Sequence, residues 1–263
     1  MIDFHNHILP SVDDGSKSID MSISMLQHAY DQGITDVVNT VHLQHPKMQG
    51  KDISFKRIKI EIDRLKEILV KNNIDIDIHI GSEVFFLPNL VELIDNPLAT
   101  IGNGKYMLIE FHPHNIPIIH KQVFFNLKMN GVTPIVAHPE RYRQVQENIN
   151  IVSEWLEAGC IIQIDAGSPL GLLGKQAKVT SEILIKNNWY QLLGSDAHDD
   201  KNRNFCMKES LHYINSIVDA DLNNLAIQNP KRIIQGEPIS VDVNYQNDSD
   251  MYSLIHKIKS YIK

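Results

Sequence analysis

The chain has 263 residues, 43% of them hydrophobic, with 25 basic and 32 acidic side chains and a net charge of −7 at pH 7. This length suits one α/β barrel or two small domains, and the acidic balance argues against nucleic-acid binding as the main function. We find no apolar run long enough for a membrane span and no secretory signal at the start, so we expect a cytoplasmic protein.

Cysteine chemistry is not expected. Cys160 and Cys206 are the only cysteines, too few for a disulfide framework or a cysteine-rich zinc site. Neither begins a Cys-x5-Arg phosphate-binding loop, because Ala166 and His212 stand six residues after them. We therefore predict two ordinary, partly buried thiols.

The first predicted strand leads into two histidines. His5 and His7 follow a short apolar run, and residues two apart in a strand face the same side, so both imidazoles can reach one metal ion. Asp13, Asp14 and Gly15 then predict a turn that brings carboxylates back to the same place. A single His-x-His pair is weak evidence, so the interpretation depends on the rest of the chain.

The second predicted strand also leads to a potential ligand. A helix bounded by Ser18 and Gly33 precedes the apolar strand 34–40, which runs into His42. The polar segment 43–53 contains proline and glycine and predicts a mobile loop over the site.

Two further strands end in glutamate. After a long amphipathic helix, the alternating segment 74–80 predicts a strand that leads to Glu83, and the strand 105–110 ends at Glu110. His79 alternates with isoleucines in its strand, so we expect it to face the helices or solvent.

The next strand, 133–137, is followed by His138. His112, His114 and His120 precede it in a proline-containing stretch, and we expect them to be substrate-loop or surface histidines and not metal ligands.

The last two predicted strands are 161–165 and 190–193. The glycine-rich segment 166–171 matches no phosphate-binding fingerprint, so we predict a turn that lets the backbone approach the site. Asp196 and His198 follow the last strand and repeat the alternate spacing of the opening histidines.

The carboxyl-terminal part is predicted to be helical over 211–225 and 229–236. We assign residues 1–236 to the barrel and 237–263 to an extension. The basic amphipathic segment 254–262 predicts a helix that packs on the barrel or at a subunit interface, in preference to a membrane surface.

Strands and helices alternate about seven times, which predicts a parallel α/β architecture with its chemistry at the carboxyl ends of the strands. Candidate ligands at so many strand ends predict a shared polynuclear metal site. Imidazole and carboxylate ligands without thiolate suit Mn(II), Fe(II) or Zn(II). The candidates at these ends are His5, His7, His42, Glu83, Glu110, His138, Asp196 and His198.

Two arginines stand beside these ligands. Arg141 lies three residues after His138, and Arg203 lies five after His198. Guanidinium groups there could hold phosphate oxygens in bidentate fashion; the alternative is surface ion pairing, which contributes little. Clustered metal ions activate water and stabilise a leaving oxygen, so the combination predicts phosphoryl hydrolysis.

These segments resemble the polymerase and histidinol phosphatase (PHP) superfamily. More narrowly, they are similar to its bacterial manganese-dependent protein-tyrosine phosphatases, the CpsB-like proteins associated with capsule and exopolysaccharide synthesis. The resemblance covers essentially residues 1–236. The segments that carry it are His5-Asn-His7, Val12-Asp-Asp-Gly15, Gly81-Ser-Glu83, Ile109-Glu110, Ala137-His-Pro-Glu-Arg-Tyr142, Gln163-Ile-Asp-Ala-Gly-Ser-Pro-Leu-Gly171 and Gly194-Ser-Asp-Ala-His198.

The resemblance implies a distorted, TIM-like (β/α)7 barrel, the PHP fold, that holds three divalent metal ions, with Mn(II) favoured. It implies that activated water attacks phosphorus directly while Arg141 and Arg203 hold the phosphate oxygens. The implied ligands are His5, His7, Glu83 and Asp196 for the first ion, Glu83, Glu110 and His138 for the second, and Asp14, His42 and His198 for the third.

The resemblance leaves several points open. The segment after His198 departs from the family, which often has an arginine followed by prolines, so the register of Arg203 is open. No general acid is assigned, and Asp199 is only a candidate. The expected substrate is a phosphotyrosine protein, and a tyrosine kinase of polysaccharide export is the implied partner. Histidinol phosphatase activity, a noncatalytic metal-binding regulatory role and a homo-oligomer are the alternatives that stay open.

Overall fold

The computed structural model describes residues 1–241. Its centre is one sheet of seven parallel strands, in which each strand pairs with the next strand of the chain. The strands are β1 (Ile2–Asn6), β2 (Asp36–Leu43), β3 (Asp77–Phe85), β4 (Tyr106–Glu110), β5 (Thr133–Ala137), β6 (Ile161–Asp165) and β7 (Leu192–Gly194).

The sheet nearly closes into a barrel where the chain beyond β7 meets β1. The amide of His7 donates to the carbonyl of Ala197 (2.8 Å), and the amide of Asp196 donates to the carbonyl of His5 (2.7 Å). A Cβ on Gly194 would lie 2.5 Å from the Cβ of His5, so a side chain there would separate β7 from β1. The predicted distorted (β/α)7 barrel is confirmed.

Helices cover the outside of the sheet. Among the described residues they are α1 (Ile19–Asp31), α2 (Phe55–Lys71), α3 (His120–Met129), α4 (Arg143–Glu147), α5 (Asn150–Glu157), α6 (Gly167–Leu170), α7 (Lys175–Lys186), α8 (Met207–Ile217) and α9 (Asn229–Gln235). Short 3-10 turns occupy Pro46–Met48, Leu90–Leu93 and Pro139–Arg141, and a π-helical turn occupies Asn224–Gln228.

Sequence patterns account for the first helices. The Ser18 hydroxyl accepts from the amide of Met21 (3.2 Å) and caps α1. In α2, the residues that recur every three or four positions are the buried ones, as an amphipathic helix requires; they are Ile58, Ile62, Leu65 and Leu69.

Apolar side chains form two layers. The larger cluster lies between the helices and the outer faces of the strands. A smaller cluster includes Phe4, Val38, Leu108 and Leu192 and fills the barrel interior. This inner cluster supports the polar residues that occupy the carboxyl ends of the strands.

A β-bulge in β1 brings a histidine into the interior. β1 advances three residues, from Asp3 to Asn6, while β2 advances two. Phe4 can therefore pack in the inner cluster while the adjacent His5 also turns inward and reaches Gln163 of β6 (2.9 Å). Bulges of this kind redirect side chains at functional sites.

Some predicted boundaries are shifted. β3 begins at Asp77, three residues later than the predicted start at residue 74, and it continues through Glu83. The predicted helix 211–225 is wrong in extent, because α8 ends at Ile217 and a π-helical turn follows at Asn224–Gln228. Extended backbone at Val218 interrupts the helix.

The end of the described chain packs under the barrel. The Tyr106 hydroxyl donates to the carbonyl of Glu237 (2.5 Å), and Ile239 and Val241 contact the inner cluster. The predicted helix 254–262 lies outside the described residues, and the domain boundary at residue 236 stays a prediction. Within residues 1–241, no helix is both long and apolar enough to cross a membrane.

His120 is a core residue, so the prediction of a loop or surface position is wrong for it. Its side chain is buried; its Nδ1–H donates to the carbonyl of Pro117 (2.7 Å), and its Nε2 accepts from Trp155 Nε1 (2.9 Å). These two bonds require the neutral imidazole. Burial lowers the pKa of His120. His112 and His114 lie exposed in the loop before α3, as expected.

His120 should make folding stability sensitive to acid. Its folded-state pKa is lowered, so the unfolded chain binds the proton more readily, and stability falls as the pH drops below about 6.5. In His120→Gln the melting temperature should fall less between pH 7 and pH 5 than in the unsubstituted protein. Thermal denaturation monitored by circular dichroism at both pH values measures this. An equal fall in both proteins would contradict the assignment.

Candidate functional site

The nine candidate ligands converge at the carboxyl ends of the strands. Nitrogen and oxygen atoms of eight of them, all but His138, form three overlapping groups, in each of which all atoms lie within 4.8 Å of one another. All nine side chains are buried except Asp14, which is half-buried. The groups are His5, His7, Glu83 and Asp196; His7, Asp14, His42 and His198; and His42, Glu83 and Glu110.

The first group contains the four residues that the resemblance implies for the first ion. The Nε2 atoms of His5 and His7 face each other at 3.3 Å. They lie 3.2 and 3.4 Å from Glu83 Oε2 and 3.5 and 3.2 Å from Asp196 Oδ1. Two imidazole nitrogens and two carboxylate oxygens directed at one point suit a divalent cation.

The other two groups share His42. Its Nε2 lies 3.2 Å from Asp14 Oδ1, and its Nδ1 lies 3.1 Å from Glu83 Oε2 and 3.7 Å from Glu110 Oε2. In the group that contains Asp14, His198 Nε2 lies 3.4 Å from Asp14 Oδ1.

His138 is placed differently from the expectation. The resemblance implies that it holds the second ion with Glu83 and Glu110. In the structure, His138 Nε2 contacts Glu83 Oε1 directly at 2.7 Å, and the group with Glu110 contains His42 instead. Metal binding by any of these residues stays a prediction.

The ionisable groups of the cluster strongly shift one another's pKa values. Burial alone would raise the pKa of Glu83, but the imidazoles of His5 and His42 outweigh it and lower that pKa. Burial and the negative charge of Glu83 raise the pKa of Glu110 to about 8. Burial disfavours the charged form of His42, yet Glu83 raises its pKa to about 10. Protons here balance the carboxylates, and a metal ion would displace them.

The donor set fits divalent metal ions. Buried polar atoms without a hydrogen-bond partner are rare in folded proteins, and a cation would supply the missing partner. Within the described part of the chain, such atoms occur at five of the nine candidates: Asp14 Oδ1, His42 Nδ1, Glu110 Oε2, His138 Nδ1 and Asp196 Oδ1.

Asp13 orients the His7 imidazole and holds the backbone of His42, although it is not itself in a metal group. Its Oδ2 accepts from His7 Nδ1 (2.8 Å) and from the amide of His42 (3.2 Å), while its Oδ1 accepts from the amide of Gly15 (3.0 Å). This fixes the His7 tautomer with Nε2 toward the cluster. A Cβ on Gly15 would lie 2.1 Å from the His7 carbonyl oxygen, so the turn requires glycine.

Sequence reasoning missed two side chains at the site. Gln163 accepts from His5 Nδ1 at 2.9 Å and fixes that tautomer; the signal was a polar residue in an otherwise apolar strand. His45 lies in the predicted loop 43–53, where its ring is 4.7 Å from that of His42 and its Nε2 is 3.9 Å from Glu110 Oε2. Its position just beyond β2 could have identified it.

Both predicted arginines reach the cluster. Arg141 Nη1 contacts Asp196 Oδ2 and lies 3.4 Å from Asp165 Oδ2. Arg203 Nη2 donates to Asp196 Oδ2 (2.5 Å) and to the Asp196 carbonyl (3.2 Å). The side chains are 27% and 35% exposed, so both remain accessible to an anion from solvent. Arg203 therefore lies beside the candidate ligands, and its role in holding phosphate stays a prediction.

Asp199 is poorly suited to act as an acid. Its Oδ1 accepts from the amides of Lys201 (2.8 Å), Asn202 (2.6 Å) and Arg203 (3.3 Å). Its slight burial raises its pKa, but these amides outweigh burial and lower it. The carboxylate therefore shapes the loop that carries Arg203 and stays ionised at neutral pH.

The glycine-rich segment after β6 forms the short helix α6, so the predicted turn is wrong. Asp165 Oδ1 accepts from the amide of Gly167 (2.7 Å) and starts the helix. Glu140 Oε1 accepts from the amide of Asp165 (2.9 Å) and the hydroxyl of Ser168 (2.7 Å). This network holds Asp165 against Arg141. Burial raises the pKa of Asp165 to about 7, although Arg141 opposes the rise.

Two candidate ligands have left-handed backbone, His138 at φ 32° and Asp196 at φ 47°. Such conformations are costly outside glycine and concentrate at functional sites. Tyr142 braces the first of them: its hydroxyl donates to the Ala137 carbonyl (2.8 Å) and accepts from the amide of Phe111 (3.0 Å). The hydroxyl thereby joins the ends of β4 and β5.

Tyr142→Phe should destabilise the protein by about 1–3 kcal/mol, because it leaves a buried carbonyl and a buried amide without partners. Urea denaturation at neutral pH measures the free energy of unfolding. Tyr30→Phe is the matched control, since Tyr30 is exposed on α1. Equal stability of the two variants would contradict the bracing role.

Comparison with known proteins identifies close relatives. The family model described as capsular polysaccharide synthesis, CpsB/CapC, matches residues 1–235. The chain is 32% identical over 240 residues to the tyrosine-protein phosphatase YwqE of Bacillus subtilis, covering 91% of this chain and 93% of that one.

Solved structures of other proteins also match this chain. A crystal structure from a study of Bacillus subtilis YwqE and Streptococcus pneumoniae CpsB, described as metal-dependent tyrosine phosphatases, matches with a TM-score of 0.87 at 31% identity, covering 94% of this chain and all of that one. The histidinol phosphate phosphatase of Lactococcus lactis matches with a TM-score of 0.53 at 16% identity, covering 83% and 92%. This second likeness supports the barrel fold alone.

Proposed function

Because the chain belongs to the CpsB/CapC family of capsular polysaccharide synthesis, we propose that it is a metal-dependent phosphatase that hydrolyses phosphotyrosine in proteins. The observation that carries the proposal is the convergence of Arg141 and Arg203 on Asp196, at the edge of a buried imidazole and carboxylate cluster. Cations next to a metal-binding cluster are what a transferring phosphoryl group requires.

The proposed cofactors are three divalent ions, with Mn(II) favoured and Fe or Zn as alternatives. The first would be held by His5, His7, Glu83 and Asp196 and the third by Asp14, His42 and His198, with Glu83, Glu110 and His138 around the second. Bound there, divalent ions would supply an activated water and neutralise the charge of the phosphate.

The chain's own residues would position the substrate. Arg141 and Arg203 present guanidinium N–H donors that suit bidentate contact with phosphate oxygens. Asp165 Oδ2 and Asp196 Oδ2 both contact Arg141 Nη1, so the guanidinium is oriented before substrate binds. Such preorganisation lowers the barrier, because no reorientation is needed during reaction.

A cysteinyl-phosphate route finds no support in the geometry. Cys160 and Cys206 are free and buried, and burial raises the pKa of Cys160 to about 12. The thiolate, which is the nucleophilic form, is therefore scarce. Tyrosine is a favourable leaving group, since a phenol has a pKa of about 10 and requires little acid assistance.

The test is the initial rate of metal-stripped protein reloaded with Mn(II), on a phosphotyrosine peptide and on histidinol phosphate side by side. We expect metal-dependent turnover that favours the peptide. The reverse preference would make the protein a small-molecule phosphomonoesterase. Metal binding that raises thermal stability without turnover of either substrate would make it a noncatalytic regulatory protein.

A tyrosine kinase of polysaccharide export is the proposed protein substrate, and the cytoplasm is the proposed location. Homo-oligomerisation stays a hypothesis. Co-purification of the kinase with an inactive variant of this protein would support the kinase as substrate. The molecular mass of the protein in solution measures its oligomeric state.

A further inference from the structure

A polar cavity of about 340 Å³ opens beside the metal-binding cluster. Arg141 is its link to the site, because this side chain both lines the cavity and contacts Asp196. A phosphate held by Arg141 therefore lies next to the cavity entrance. The rest of the lining consists of Pro113, His114, Arg143, Gln146, Glu147 and Gln176.

Hydrogen bonds hold the walls of the cavity in place. The amide of Arg143, at the start of α4, donates to the carbonyl of Pro113 in the loop after β4 (2.9 Å). Gln146 Nε2 donates to the carbonyl of Glu140 (2.9 Å), and the Gln144 side chain accepts from the amide of Ile116. The cavity is thus built between two segments that are tied together, as in preformed binding sites.

The walls suit a charged group better than a tyrosine ring. Apart from Pro113, the lining consists of polar or charged side chains, whereas aromatic groups prefer apolar and aromatic walls. Two of the lining residues are arginines, Arg141 and Arg143, against one carboxylate, Glu147. Arg141 is already paired with Asp165 and Asp196, so Arg143 is the lining cation that an incoming anion can reach.

Arg143 is available to such an anion. Its side chain is 68% exposed, and its ion pair is with Glu147 one turn later in α4 (2.9 Å). An exposed pair of this kind is worth at most about 1 kcal/mol, because water screens it. A carboxylate from a bound peptide can replace Glu147 and form a bidentate contact with the guanidinium.

We propose that this cavity receives an acidic side chain of the substrate polypeptide, from a residue within about three positions of the phosphotyrosine. The reach follows from the spacing of about 3.8 Å between consecutive Cα atoms and from the position of Arg141 between cluster and cavity. The inference rests on the proposed function and adds a sequence preference to it. Arg143 is then a specificity-determining residue, separate from the chemistry.

The experiment compares kcat/KM, with Mn(II) present, for three substrates: a phosphotyrosine peptide flanked by glutamates, the same peptide flanked by lysines, and phenyl phosphate. We expect the unsubstituted protein to prefer the glutamate peptide by about threefold to tenfold, as expected for exposed charge pairs. Arg143→Glu should reverse the preference and leave the rate on phenyl phosphate unchanged. The preference for the glutamate peptide should be smaller in 0.5 M salt, because the Debye length there is roughly half its physiological value and exposed charges are screened more strongly.

Lys59→Glu is the matched control. Lys59 forms the same kind of exposed pair, with Asp63 one turn later (2.9 Å), but lies on α2 and does not line the cavity. Equal effects of Arg143→Glu and Lys59→Glu would overturn the proposal in favour of general electrostatic steering, as would equal rates on both peptides. Absence of turnover on all three substrates would instead refute the proposed function.

Discussion

Replacing Arg141 by alanine is expected to lower kcat/KM for a phosphotyrosine peptide by about a thousandfold, the scale seen when a cation that stabilises a phosphoryl transition state is removed. The loss should occur mainly in kcat, because charge on the transferring oxygens grows in the transition state. Steady-state kinetics with Mn(II)-loaded protein measures both parameters. Arg141→Lys should recover only part of the activity, since lysine lacks the bidentate guanidinium.

Two controls make this result interpretable. Arg232→Ala removes an arginine whose pair with Glu237 is exposed and remote from the cluster, and it should retain full activity. Arg141→Ala also leaves the buried carboxylate of Asp165 without its cation, so the fold of each variant is checked by circular dichroism. A folded Arg141→Ala protein with a normal rate would refute the clamp.

Glu83→Gln is expected to weaken metal binding and lower activity together. Its carboxylate contacts four imidazoles, those of His5 (3.2 Å), His7 (3.4 Å), His42 (3.1 Å) and His138 (2.7 Å). Replacing the carboxylate by an amide removes the negative charge that attracts these four imidazoles and any bound cations. A loss of several kcal/mol of stabilisation corresponds to a rate about a hundred- to a thousandfold lower.

Elemental analysis of Mn(II)-loaded and desalted protein tests the metal part directly. We expect Glu83→Gln to retain at least one ion fewer per chain than the unsubstituted protein. Glu67→Gln is the control, because Glu67 is exposed on α2. Full metal content in Glu83→Gln would show that the ligands differ from those proposed, whatever the activity.

The candidate ligands at the strand ends could be predicted because the sequence pattern that marks them is local. Each apolar strand is followed within a few residues by histidine, glutamate or aspartate, and parallel strands bring their carboxyl ends to one edge. The barrel follows from the same alternation of strand and helix patterns. His5 and His7, Glu83, Glu110 and His138 could therefore be named before their positions were known.

Other features depend on contacts between distant segments. Local propensity predicted a turn at residues 166–171, but hydrogen bonds to the buried carboxylates of Glu140 and Asp165 favour a helical turn there. His120 looked like a loop residue, although its neighbours in space are Trp155 and aromatic side chains of the core. Hydrogen-bond partners far along the chain leave no pattern in the sequence near the residue.

The sequence by itself determined the barrel and identified the candidate ligands and the two arginines, because each is encoded in a short run of residues with a strand or helix period. Only the tertiary structure decided that Glu110 shares a group with His42 and not with His138, and that Arg203 reaches Asp196. These outcomes depend on the closure of β7 onto β1 and on the bulge in β1. The closure joins segments almost two hundred residues apart in sequence, and the bulge lies where β1 pairs with β2, so no local pattern records either feature.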